Sequence, residues 1–113
     1  MAEKEDVLTK TYDLLLYLIP QLEKFPRAQK FLLADRIELK VLDILERLLE
    51  AYYSPPDAKM VPLKKANIEI EQFRYLVRLS HDLGFLSHQK YGILSEKINE
   101  VGRMVGGWIK SLK

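Results

Sequence analysis

The chain lacks cysteine altogether and has only five glycines, five prolines and one tryptophan in 113 residues. Without cysteine there are no disulfides, thiolate metal ligands or cysteine nucleophiles. Few helix breakers leave long stretches free to stay helical. Apolar runs are scarce too: the longest, Leu14 to Ile19, is far too short to cross a bilayer. The leading "MAEKEDV" is acidic, with no apolar segment of the signal-peptide kind. A cytoplasmic protein with no membrane association is expected. Charge of one sign is also missing, since 18 Lys/Arg face 16 Asp/Glu. Its distribution is less even: residues 1–50 carry 8 cations against 10 acids, residues 51–113 carry 10 against 6. The second half is therefore the half suited to an anionic partner.

What is present is helical periodicity over a single domain, residues 1–113. Proline and glycine divide the chain into four pieces. The first is expected from about Glu3 to Lys24, with Leu8, Tyr12, Leu15, Ile19 and Leu22 inward. Glu3, Glu5 and Asp6 suit its N-terminal dipole, and Pro20 should kink it or fray its last turn. Pro26 stands at the start of a second helix, about Arg27 to Tyr53, whose stripe is Ala34, Ile37, Val41, Leu45, Leu48 and Tyr52, widened by Leu42 and Leu49. "SPPDAKMVP" reads as a loop. A third helix, about Leu63 to Leu83, carries Ala66, Ile70, Phe73, Val77 and Ser80 on one face, with Leu76, Leu79 and Leu83 beside it. Gly84 suits its C-terminal stop and Ser87 caps a fourth helix running to about Leu112. In that helix Tyr91, Leu94, Ile98, Val101, Val105, Trp108 and Leu112 alternate steps of three and four, the seam spacing of a left-handed bundle. The expected fold is all-α, an antiparallel up-down four-helix bundle.

The fourth helix carries a second stripe, Gly92, Ser95, Asn99, Gly102 and Gly106. A glycine inside a helix costs about 1 kcal/mol against alanine, so this stripe calls for a close neighbour. That neighbour is either another helix of the same bundle or a second subunit, and spacing does not choose between them.

Enzymatic chemistry finds no constellation. His81 and His88 lack the Glu three residues earlier that a bundle di-iron site uses, having Arg78 and Phe85 there instead. No glycine-rich phosphate loop follows a strand. No catalytic residue, cofactor or metal is expected. Candidate binding residues are cationic. Arg74, Arg78 and His81 share a face of the third helix, with Lys64 and Lys65 near its start; Arg27 opens the second helix, and Arg103 and Lys110 lie on the fourth. Arginine forks suit phosphate. The same face is also readable as solvated surface, with Arg78 paired to Asp82 at i,i+4.

Three stretches, "KFPRAQKF", "FRYLVRLS" and "EVGRMVGGWIKS", together resemble the accessory variability determinant of diversity-generating retroelements. The most specific run is Glu100 to Ile109. That family lies within a wider group of four-helix bundles that includes proteins encoded in intervening sequences of 23S ribosomal RNA genes. The resemblance implies a homo-oligomer, a pentamer, that binds a reverse transcriptase, RNA and DNA in support of mutagenic retrohoming and has no catalysis of its own. It makes Arg74, Arg78 and Arg103 contacts to polymerase or nucleic acid, and adds weight to the small stripe as a packing surface. Acids such as Glu69 and Glu71 on the same helix point to modest affinity, and with no element built to read base edges little sequence preference is expected. The alternatives are an intervening-sequence-type bundle of unknown role and a purely structural homo-oligomer.

Overall fold

A computed structural model describes residues 3–113 of the chain. Among them the long elements are four α-helices: α1 (Glu3–Leu22), α2 (Asp35–Tyr53), α3 (Met60–Asp82) and α4 (His88–Ser111). Each packs on its neighbours in sequence, and α1 closes the ring against α4. Contacts between neighbouring helices run in opposite directions: Lys40 meets Gln72 while Arg47 meets Glu69, and Tyr17 meets Lys97 while Lys10 meets Glu100. This is the antiparallel four-helix bundle. No described helix is long and apolar enough to cross a membrane.

The seams of α3 and α4 follow the expected spacing. Ala66, Ile70, Phe73, Val77 and Ser80 are all buried, as are Leu94, Ile98, Val101, Val105 and Trp108. Leu79 and Leu83, placed beside the α3 stripe, are exposed instead. On α1 the seam is turned by one position. Val7, Thr11, Leu14 and Leu18 form it with Leu15 and Leu22, whereas Tyr12 is 56% exposed. The reason is Thr11, whose hydroxyl donates to the Val7 carbonyl at 2.7 Å and so enters the core satisfied. Ser80 does the same against Leu76 at 2.9 Å. On α2, Ile44 and Ala51 are fully buried where Leu45 and Tyr52 were expected to point inward, and those two are only partly covered.

The connections differ more from expectation. The helix expected from Arg27 runs on to Tyr53 without a gap, with a wide π-helical segment at Lys30–Ala34 between a first turn at Arg27–Gln29 and α2. Pro26 stands just outside the first of these, with Gln29 N–H bonded to its carbonyl. Pro20 lies inside α1, and the ladder tightens soon after it: Lys24 N–H reaches Gln21 and Phe25 N–H reaches Leu22. The side chains of Glu3 and Glu5 lie outside the described residues. The end of "SPPDAKMVP" is helix rather than loop, because Pro62 falls in the first turn of α3, where no N–H is needed. Lys59 just before it is buried, its ammonium donating to the carbonyls of Ala51 (2.8 Å) and Tyr52 (3.1 Å). The cation thus caps the negative end of α2.

Between α2 and α3, Arg47 Nε lies 3.5 Å from Glu69 Oε1 without hydrogen-bond alignment. Burial pushes the Glu69 carboxyl above the usual range, and the opposing pull of Arg47 only partly offsets it. The α3–α4 turn is built as foreseen. Gly84 takes φ +85°, its N–H bonds the His81 carbonyl, and Phe85 N–H reaches Ser80. Ser87 Oγ accepts from Lys90 N–H at 3.2 Å. Phe85 then meets Phe25 with ring centroids 5.7 Å apart, tying both turns to one end of the bundle. A side chain at Gly84 would be forced into the left-handed region. Gly84→Ala is expected to lower unfolding free energy by about 1–2 kcal/mol in urea titrations, with helix content retained.

Candidate functional site

Arg74 and His81, each one position after a core residue of α3, reach α4 at Asn99 and Tyr91, and Arg78 lies between them on the same face. On α4 the corresponding positions are the small stripe. The two sets that looked independent in sequence therefore meet at Arg74. Arg74 Nε donates to Asn99 Oδ1 at 3.2 Å, and its Nη1 pairs with Glu71 one turn back. Its Nη2 lies where a side chain on Gly102 would begin, 2.8 Å from the position a Cβ would take. A side chain at Gly102 would push aside the guanidinium that passes over it. The seam widens towards the α3–α4 turn into a groove of about 270 Å³ lined by Arg74, Tyr91, Ser95 and Asn99 over Phe73 and Ile98. At Gly92 and Gly106 a Cβ would meet nothing within 4 Å. The intrachain contact accounts for Gly102 and Asn99, and leaves Gly92 and Gly106 facing open space.

The arginines consequently differ. Arg74 is 34% exposed and spans two helices. Arg78 is 64% exposed, and its one ion contact is a loose 3.8 Å approach to Asp82. Tyr75, 70% exposed, shares a shallow hollow with Arg74, Arg78, Tyr91 and Glu71. His81 stacks on Tyr91 with centroids 4.5 Å apart.

A sequence model described as bAvd-like matches residues 7–112, nearly the entire chain. The chain belongs to the bAvd-like family. Among solved structures it is similar to a protein of unknown function of the S23 ribosomal protein family from Bacteroides thetaiotaomicron VPI-5482. That match has a TM-score of 0.87 at 16% identity, over 96% of this chain and 99% of the other. At that identity the likeness establishes the shared bundle fold. No curated protein matches the sequence.

The other cations of this bAvd-like chain do not gather in one patch. Lys64, Lys65 and Lys110 are exposed at the end where α3 begins and α4 finishes. Arg103 is exposed one residue on from Gly102. Arg27 lies at the opposite end, where the Phe25–Phe85 contact joins the two turns. Sequence reading passed over two lysines at that end. Lys24 and Lys90 come close enough for a hydrogen bond from Lys24 to hold the Lys90 ammonium below the usual lysine range, with desolvation and the repulsion of Lys24 adding to it. Lys24 leaves α1 and Lys90 enters α4, so only tertiary structure pairs them. Among the described residues no group of three or more His, Cys, Asp or Glu is placed to hold a metal ion.

If Gly102 is occupied from within the chain and Gly106 is open, substitutions should separate them. Gly102→Leu displaces the Arg74 guanidinium and should cost about 1–3 kcal/mol. Gly106→Ala should be neutral or add up to about 1 kcal/mol through helix propensity. Chemical denaturation of both variants measures this, and equal losses would contradict the arrangement.

Proposed function

We propose that this bAvd-like chain is an accessory protein of a diversity-generating retroelement that binds the reverse transcriptase and nucleic acid. The observation that carries the reading beyond family membership is the cationic end of the bundle. Lys24, Arg27 and Lys90 stand there with the exposed Arg78, supplied by three separate segments. Like charges brought to one end, with Asp82 only loosely paired to Arg78, gain from a polyanion, whose phosphates relieve their repulsion and release counterions.

Within this proposal the roles divide. Arg78, Arg27, Lys24 and Lys90 meet phosphate. Tyr75 offers an exposed ring beside Arg78 on which an unpaired base stacks. Arg74 holds the seam and positions the face. Among the described residues no element is shaped to enter a groove and read base edges, so binding is independent of sequence. The protein works as a homo-oligomer, a pentamer by family likeness, which repeats the cationic end and raises a modest affinity per subunit. The open small positions Gly92 and Gly106 are the part of the stripe left for a neighbouring copy.

Filter binding to a single-stranded RNA across a salt series tests this. Log affinity should fall linearly with log salt. Each phosphate contact removed by Arg78→Ala or Lys90→Ala should lessen the slope by about 0.7. Salt-insensitive binding, or slopes that the variants leave unchanged, would overturn the phosphate-binding role.

A further inference from the structure

His81 and His88 stand on either side of the α3–α4 turn, seven residues apart, and their rings meet. His88 Nδ1 lies 3.5 Å from His81 Nε2, with ring centroids 5.5 Å apart. The other nitrogen of His81, Nδ1, lies 3.1 Å from Asp82 Oδ1. A carboxylate at that distance takes the Nδ1–H, which leaves Nε2 as a lone pair directed at His88. The Tyr91 ring, stacked on His81 at an interplanar angle of 22°, fixes the plane of the imidazole. His81 is partly covered and His88 exposed, so the space between the nitrogens opens to solvent.

We propose that His81 and His88 form a two-nitrogen chelate for a borderline divalent transition metal such as zinc. Metal–imidazole bonds of about 2.0–2.1 Å at a tetrahedral angle place two nitrogens about 3.3–3.4 Å apart. The observed separation of 3.5 Å is close to this, and a small turn of the rings, which now face each other as a hydrogen-bonded pair, makes their lone pairs converge on the metal. The Asp82–His81 contact is the carboxylate–imidazole arrangement that sets tautomer and basicity at metal-bound histidines. Water or a phosphate oxygen fills the remaining positions. The charged surroundings set selectivity. Arg78 approaches the second Asp82 oxygen at 3.8 Å, and Lys90 follows His88 by two residues. Cations nearby disfavour the oxygen-seeking calcium and magnesium, while neutral nitrogen donors suit zinc, nickel and copper. A bound metal joins the last turn of α3 to the first turn of α4 and stiffens the cationic end.

The test is a zinc chloride titration of tag-free protein, followed by calorimetry and by the imidazole NMR signals of the two histidines. Both signals should shift together and saturate, and magnesium should leave them unmoved. Loss of a hydrogen-bond partner to a metal-bound imidazole typically costs about 10–100-fold in affinity, so Asp82→Ala should weaken zinc binding at least about tenfold. Asp82→Asn, which keeps an acceptor, should lose less. His81→Ala and His88→Ala should lose more than Asp82→Ala, with helix content unchanged by circular dichroism. Absence of zinc-induced shifts at millimolar zinc, or binding that His88→Ala leaves intact, overturns the site.

Discussion

The guanidinium of Arg74 needs room between two helices, and Gly102 gives it that room. Most of what distinguishes this bundle follows from the constraint. An arginine bonded at once to Glu71 on its own helix and Asn99 on the next would have to move its guanidinium to admit a side chain at position 102. The facing stripe of α4 is therefore small or short and polar through Ser95, Asn99 and Gly102. Where the arginine stops, the same small residues leave the groove that runs towards Tyr91. The helix gives up intrinsic propensity at its glycines and recovers it through the a/d seam on its inner face, where Trp108 and four aliphatic residues are buried.

Fixing Arg74 in the seam settles what its neighbour can do. Arg78, one turn on, lies past the reach of Asn99 and keeps only a loose approach to Asp82, so its charge stays available. The α3–α4 turn then brings α4 back with His88 and Lys90 in its first turn. Packing of Phe25 on Phe85 draws the α1–α2 connection, with Lys24 and Arg27, to the same place. The cationic end is thus a product of tertiary structure. Net charge of +2 dispersed over 113 residues conceals it.

Much of the bundle is legible in the sequence because α3 and α4 bury nearly pure apolar stripes between clear stops. Gly84 and Ser87 perform the turn chemistry their residue types predict. The seam of α1 was harder to read for a physical reason: its apolar run supports more than one phase, and the true one passes through Thr11, a polar letter whose hydroxyl is satisfied within the helix. Lys59 misleads in the same manner, since a buried lysine makes sense only beside the carbonyls that end α2. At the candidate site, residue types and spacing identified Arg74, Arg78 and the small stripe. They did not show that Arg74, Asn99 and Gly102 belong to a single contact, because Arg74 and the other two lie on different helices and meet only once the α3–α4 hairpin closes.

The coupling between Arg74 and Asn99 tests the organising contact most directly. In a double-mutant cycle built from Arg74→Ala, Asn99→Ala and the pair, contacting residues show interaction energies of about 0.5 kcal/mol or more, whereas distant ones add. Unfolding free energies measured at low salt should return a favourable coupling at or above that level. A cycle that closes to zero would mean that the two helices do not meet through Arg74, and would contradict the account.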